Sequence, residues 1–164
     1  CSEAGQIAVD MISSPSVEDV AGEVHDAVTS LGIESLHGRA GKQPWGYVEP
    51  AEAAWELLGE ALEGTIDDMK RRAGLGLHRA AEAICCGIVV GLHMAQGESS
   101  DGPLGWAPDF PEDQACHVVA ELIRMYPRNV RAATRDRLIE ALVDQIPGWD
   151  EMIAQAADRA TKNR

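Results

Sequence analysis

Apolar residues recur three and four positions apart through most of this chain, and the stretches where that period fails divide it into helices and loops. The first sustained run sets Val17, Val20, Val24, Val28 and Leu31 on one face and Glu18, Glu23 and Asp26 on the other, with Gly32 ending it. Ser16 and Asp19 stand at its start with the spacing of a capping box, Asp replacing the usual Glu. From Ile33 to Tyr47 glycines and a proline interrupt any period, which predicts a long loop. Pro50 then occupies a position that a first helical turn tolerates. After it Ala54, Leu57, Leu58, Ala61 and Leu62 form a stripe opposite Glu52, Glu56, Glu60 and Glu63, predicting a helix to about Ala73. Gly74 and Gly76 turn the chain into a third helix, Leu77 to Gln96, making an antiparallel hairpin. Residues 97–111, GESSDGPLGWAPDFP, read as a second long loop. Three more helices follow: one from Pro111 to Tyr126, one from Val130 to Ile146, and one from Trp149 to Ala160 after the Pro147-Gly148 break.

The predicted fold is therefore all-α, about six helices and no sheet, packed as antiparallel hairpins around a buried central helix at 77–96. Residues 1–15 are a poorly specified lead-in, and residues 16–164 form one all-helical domain. The central helix owes its place to a run from Ala83 to Gly97, AICCGIVVGLHMAQG, that carries no formally charged side chain. A membrane-spanning helix needs roughly twenty apolar residues, and this run is shorter and contains glycines and a histidine, so a core helix is the reading. Gly87 and Gly91 lie four apart on one face and let a neighbouring helix approach closely.

Composition narrows the function. The formal net charge of −13 repels a phosphate backbone unless basic residues gather on one face, so nucleic acid is not an expected partner. Lys70, Arg71 and Arg72 form one basic group, and Arg124, Arg128, Arg131, Arg135 and Arg137 another; the second reads as a solvated face balanced by Asp136 and Glu140. Adjacent cysteines within the apolar run do not suit a disulfide framework, which points to a reducing, cytoplasmic setting with Cys85 and Cys86 as packing residues. Acylation of Cys1 as a processed lipoprotein is the alternative.

Candidate chemistry is incomplete at each place it arises. His78 and Cys85, and Cys86 and His93, repeat every seven residues on the buried helix, with Cys116 and His117 further on. Seven-residue steps separate ligands by about 10 Å along one helix, too far to share a zinc ion unaided. Glu60 and Glu63 form an E-x-x-E pair, followed by Asp67 and Glu82, and this resembles all-helical nucleotide pyrophosphatases whose paired carboxylates hold magnesium against a triphosphate. In those enzymes a second carboxylate pair, here opened by Glu82, closes with Asp three residues later, and Cys85 takes its place, a poor ligand for a hard cation. Gly38-Arg-Ala-Gly41-Lys42 lacks the first glycine and the Ser or Thr of a phosphate loop, with Leu36 and Gln43 in those places. The sequence assigns no catalytic residue, no cofactor-binding residue and no metal ligand.

Two features point instead to interaction. Both long loops carry aromatics, and Trp45, Tyr47, Trp106 and Phe110 are candidate anchors for a partner, because aromatics dominate binding hot spots. Pro50, Glu52, Ala54, Leu57, Leu58, Glu60 and Leu62 also find an echo 61 residues on in Pro111, Asp113, Ala115, Val118, Val119, Glu121 and Ile123, and Trp45 in Trp106. In its alternating hairpins and small contact residues the chain resembles the helical repeat class, tetratricopeptide-like or HEAT-like, although its long loops depart from the tight turns of that class. The resemblance implies an acidic scaffold or protein-interaction module that binds a protein or peptide, with a homodimer also open, and no catalysis. A metal-dependent all-α nucleotide phosphohydrolase using Glu60, Glu63, Glu82 and Asp67 is the alternative.

Overall fold

The computed structural model describes residues 15–98 and 101–162; the lead-in read at 1–15 and the lipidation site at Cys1 fall almost wholly outside them. The fold is all-α. Among the described residues there are eight helices: α1 (Val17–Thr29), α2 (Ile33–Arg39), α3 (Pro50–Gly74), α4 (His78–Gln96), α5 (Pro103–Trp106), α6 (Phe110–Met125), α7 (Arg128–Leu142) and α8 (Asp150–Lys162). A two-stranded antiparallel hairpin, β1 (Gly41–Gln43) and β2 (Gly46–Val48), lies between α2 and α3, with Gly41 paired to Val48 and Lys42 to Tyr47.

The charge-free helix is the centre. α4 packs against α1, α3, α6 and α7, and Ile84, Cys85, Ile88, Val89 and Leu92 are buried to within 1%. No described helix is long and apolar enough to cross a membrane. The closest neighbour is α1, and the two glycines explain why. A Cβ added at Gly87 would lie 2.4 Å from Val20 Cβ, and one at Gly91 would lie 2.6 Å from the Ala21 carbonyl oxygen and 2.8 Å from Val24 Cβ. Small residues let the two backbones meet, and Val20, Ala21, Val24 and Val28 fill the seam. Ser16 caps α1 as its spacing predicts, its Oγ accepting from the Asp19 amide at 3.0 Å.

The loop predicted from Ile33 to Tyr47 instead holds α2 and the hairpin. α2 has seven residues and buries only Leu36, too little for a hydrophobic period to register. The second predicted loop holds the four-residue α5, and Phe110 opens α6 as a core residue, in edge contact with Trp55 at 5.0 Å between ring centres. The 61-residue echo survives locally: α3 and α6 both start with proline in the first turn, and Ala54, Leu58 and Leu62 are as fully buried as Ala115, Val119 and Ile123. It ends there, because α3 runs for 25 residues and α6 for 16. The last three helices close the far side, with Arg131 buried beneath them. Its Nε donates to the Tyr126 carbonyl at 2.9 Å and its Nη2 to the Arg124 carbonyl at 3.1 Å, supplying donors to the last carbonyls of α6.

Candidate functional site

A concave surface built from chemically distinctive residues lies between the end of α2, the hairpin and the start of α3. A cleft of about 400 Å³ is lined by Arg39, Trp45, Gly46, Tyr47, Val48, Glu52 and Glu56. Its position follows from local chemistry. The turn residues Pro44 and Trp45 both have negative φ, as the proline ring imposes on its own residue, so the turn is not one of the primed types that suit strand twist. Gly46, at φ 134°, absorbs the mismatch in a conformation that side chains rarely adopt. Gln43 fixes the hairpin to α2, its Nε2 donating to the Arg39 carbonyl at 3.0 Å and the Ala40 carbonyl at 3.3 Å. Val48 then anchors the second strand in the core at 8% exposure, while its neighbour Tyr47 alternates outward.

The hairpin thus presents two rings that the fold does not use. Trp45 is 77% exposed and Tyr47 64%. In the same lining, Glu52 and Glu56 are four residues apart on one face of α3, and both are exposed. The Arg39 guanidinium closes the floor but is already engaged: Nη2 donates to Glu60 Oε1 at 3.1 Å, Nη1 donates to Glu60 Oε2, and Nη1 also lies 3.7 Å from Glu56 Oε2. Glu52 makes no ion pair with any described residue.

Of the four aromatics singled out in the sequence, the structure brings Trp45 and Tyr47 together in this cleft. Trp106 is half exposed but sits on α5, outside the lining. Phe110 is corrected: at 1% exposure it packs against Trp55 in the core and has no surface to offer. Arg39, Glu52 and Glu56 were not legible as site residues, because what makes them one is the hairpin folding over them. The only available signal was a tryptophan and a tyrosine spaced by one glycine in a polar segment.

The other candidate clusters are dispersed. No group of three or more His, Cys, Asp or Glu residues able to hold a metal occurs among the described residues. His78 stacks on Tyr126 at 4.6 Å, and His93 donates through Nε2 to the Pro147 carbonyl at 2.9 Å while packing edge-on against Trp149. Cys85, Cys86 and Cys116 are free thiols, and burial pushes the first two up, Cys86 to about 12, which suppresses thiolate chemistry. His117 pairs with Glu121 at 3.1 Å.

Two of the four carboxylates expected of a phosphohydrolase, Glu60 and Glu82, are engaged elsewhere. Glu60 is held by Arg39. Glu82 accepts from Arg137 Nε at 3.0 Å and Nη2 at 3.2 Å, and from the Tyr126 hydroxyl at 2.5 Å. Burial and that hydrogen bond raise the Tyr126 pKa above its ordinary value. The basic stripe at Arg128, Arg131 and Arg135 is likewise broken up. Arg131 is buried, and Arg135 pairs with Asp136 at 2.9 Å and Asp158 at 2.5 Å.

A second polar contact lies at the other end of α1. His25 Nδ1 is 3.1 Å from Asp26 Oδ1 and its Nε2 2.5 Å from Glu98 Oε1, tying α1 to the segment after α4. Glu98 foremost, and then Asp26, raise the imidazole pKa above its usual value. The chain matches no known family model, and neither the curated proteins nor the solved structures contain a match to it.

Proposed function

We propose that this chain is an acidic helical interaction module that binds a protein or peptide through the cleft under the β1–β2 hairpin. One observation carries the reading: Trp45 and Tyr47 stand largely exposed on a hairpin that Gln43 and Val48 hold in place, over a cleft of about 400 Å³. Exposed aromatics on a fixed scaffold lose little entropy on binding and are the residues most enriched in hot spots. The hairpin-rich all-α architecture fits a helical-repeat-like scaffold, with the cleft at the edge of the α3–α4 hairpin. Catalysis finds less support. Glu60 and Glu82 are each engaged by an arginine, and the thiols sit in the core.

The test is a display of random linear peptides against the purified protein, with the Trp45→Ala/Tyr47→Ala double variant as counter-selection. The reading expects peptides enriched by the native protein and lost with the variant, whose melting temperature stays near the native value. Absence of any peptide that depends on the two rings would refute it.

A further inference from the structure

The chemistry of the cleft says which kind of segment it takes. Its lining combines two exposed rings on the hairpin with two carboxylates one helical turn apart on α3. The single cation in the lining, Arg39, is satisfied by Glu60 and shared with Glu56, so it leaves the cleft acidic, and the chain as a whole carries −13. An anionic ligand would have to displace Arg39 from Glu60 and then face Glu52 and Glu56. A neutral apolar segment would cover the rings but bury the carboxylates unpaired, which is costly.

Building on the interaction reading above, we infer that the cleft accepts an arginine side chain of a partner polypeptide. Its guanidinium would stack on Trp45 or Tyr47 and donate to Glu52 and Glu56. Cβ atoms four apart on a helix are separated by about 5–6 Å, a span that one planar fork of five N–H donors bridges and a single ammonium does not. The rings supply cation–π attraction on the open face, strongest for tryptophan. Glu52, which has no ion pair among the described residues, is the primary acceptor, and Glu56 gives up its longer contact to Arg39. The occupant is thus set by charge and shape together: a short, basic, arginine-bearing segment.

The peptides selected above supply the probe. The inference expects arginine in every family that depends on Trp45 and Tyr47. For a synthetic peptide from such a family, Kd should rise about tenfold or more with Glu52→Gln/Glu56→Gln, the loss expected of charge-assisted contacts. Replacing its arginine by lysine should weaken it several-fold, and raising salt from low to high should weaken it further through screening. All substituted positions are exposed, and melting curves verify that each variant is folded. Ring-dependent peptides that lack arginine, or that ignore the loss of Glu52 and Glu56, overturn this inference while leaving the interaction reading intact. No ring-dependent peptide overturns both. Concentration-dependent self-association abolished by Trp45→Ala/Tyr47→Ala assigns the cleft to a second copy of the chain, and also overturns it.

Discussion

Replacing Gly91 by alanine tests the packing that sets the whole architecture. The added Cβ would lie 2.6 Å from the Ala21 carbonyl oxygen and 2.8 Å from Val24 Cβ. Non-bonded carbon contacts are comfortable at about 3.5–4.0 Å, so relief requires roughly an ångström of separation. The obstacles are a backbone atom and a branch point, and neither can swing aside as a side-chain tip would. α1 must therefore move as a body. A gap of 0.5–1 Å forfeits about a quarter to a half of each dispersion contact along the seam, and overpacking of this kind costs about 1–3 kcal/mol. Against it stands the helix propensity of alanine, worth about 1 kcal/mol over glycine in a helix interior. With a backbone oxygen and a branch point as the obstacles, the steric cost falls at the upper end of the overpacking range, about 2–3 kcal/mol. The net loss should then be about 1–2 kcal/mol.

For a chain of this size each kcal/mol moves the melting temperature by about 2–4 °C, so a drop of several degrees is expected. Gly64 is the control. It lies within α3, is exposed, and an added Cβ meets nothing within 4 Å. Gly64→Ala should raise the melting temperature by about 2–4 °C through propensity alone. Thermal unfolding followed by far-ultraviolet circular dichroism reads both variants. A Gly91→Ala protein as stable as Gly64→Ala would refute the claim that close approach of α1, and nothing else, selects glycine there.

Three further outcomes follow from the same structure. Phe110→Ala should cost about 3–5 kcal/mol in urea unfolding, as expected for a fully buried aromatic, whereas Trp45→Ala should stay within about 0.5 kcal/mol, as at other exposed positions; equal losses would mean the hairpin rings are structural. The His25 contacts should hold below the unfolded imidazole pKa of 6.5 and weaken as pH rises through the raised folded value, because the stabilised form is the protonated one. Amide exchange at the end of α4, corrected for its intrinsic pH dependence, should lose protection over that window in the native protein and show no such transition in His25→Gln. Tyr126→Phe removes one donor from Glu82 while leaving Arg137 in place, and should lower stability by about 1–3 kcal/mol; an unchanged unfolding midpoint would show that the hydroxyl contributes nothing to holding α4 against α6.

Much of this architecture is written in the order of residues. The capping serine at 16, the acidic and apolar faces of α3, the uncharged run of α4, Pro111 in the first turn of α6 and Pro127 just before α7 each define a helix from within a few turns, because periodicity and capping are local. The glycines four apart even foretold which face of α4 a neighbour would press. Local rules failed where an element is too short to show a period: α2 buries one leucine, and the hairpin has three residues in each strand. They failed again in judging the aromatics. Phe110 and Trp106 fall within the same Gly- and Pro-rich stretch, yet the first is buried and the second half exposed, a distinction set by where Trp55 on α3 happens to pass.

The candidate site lies wholly on that non-local side. Trp45 and Tyr47 could be picked out as unusual residues, but Arg39, Glu52 and Glu56 gain meaning only once Gln43 caps α2 and Val48 enters the core, which brings the hairpin to the same cleft as the start of α3. Glu60 and Glu82 show the converse. Their spacing suggested a shared metal, and tertiary contacts divide them between Arg39 and Arg137 on distant elements. Sequence by itself determined the six longer helices and the buried centre, because a long amphipathic helix shows its period and caps within its own turns. Which carboxylates stay available, and which rings meet solvent, only the tertiary structure decided, because charge pairing and burial depend on residues far apart in the chain.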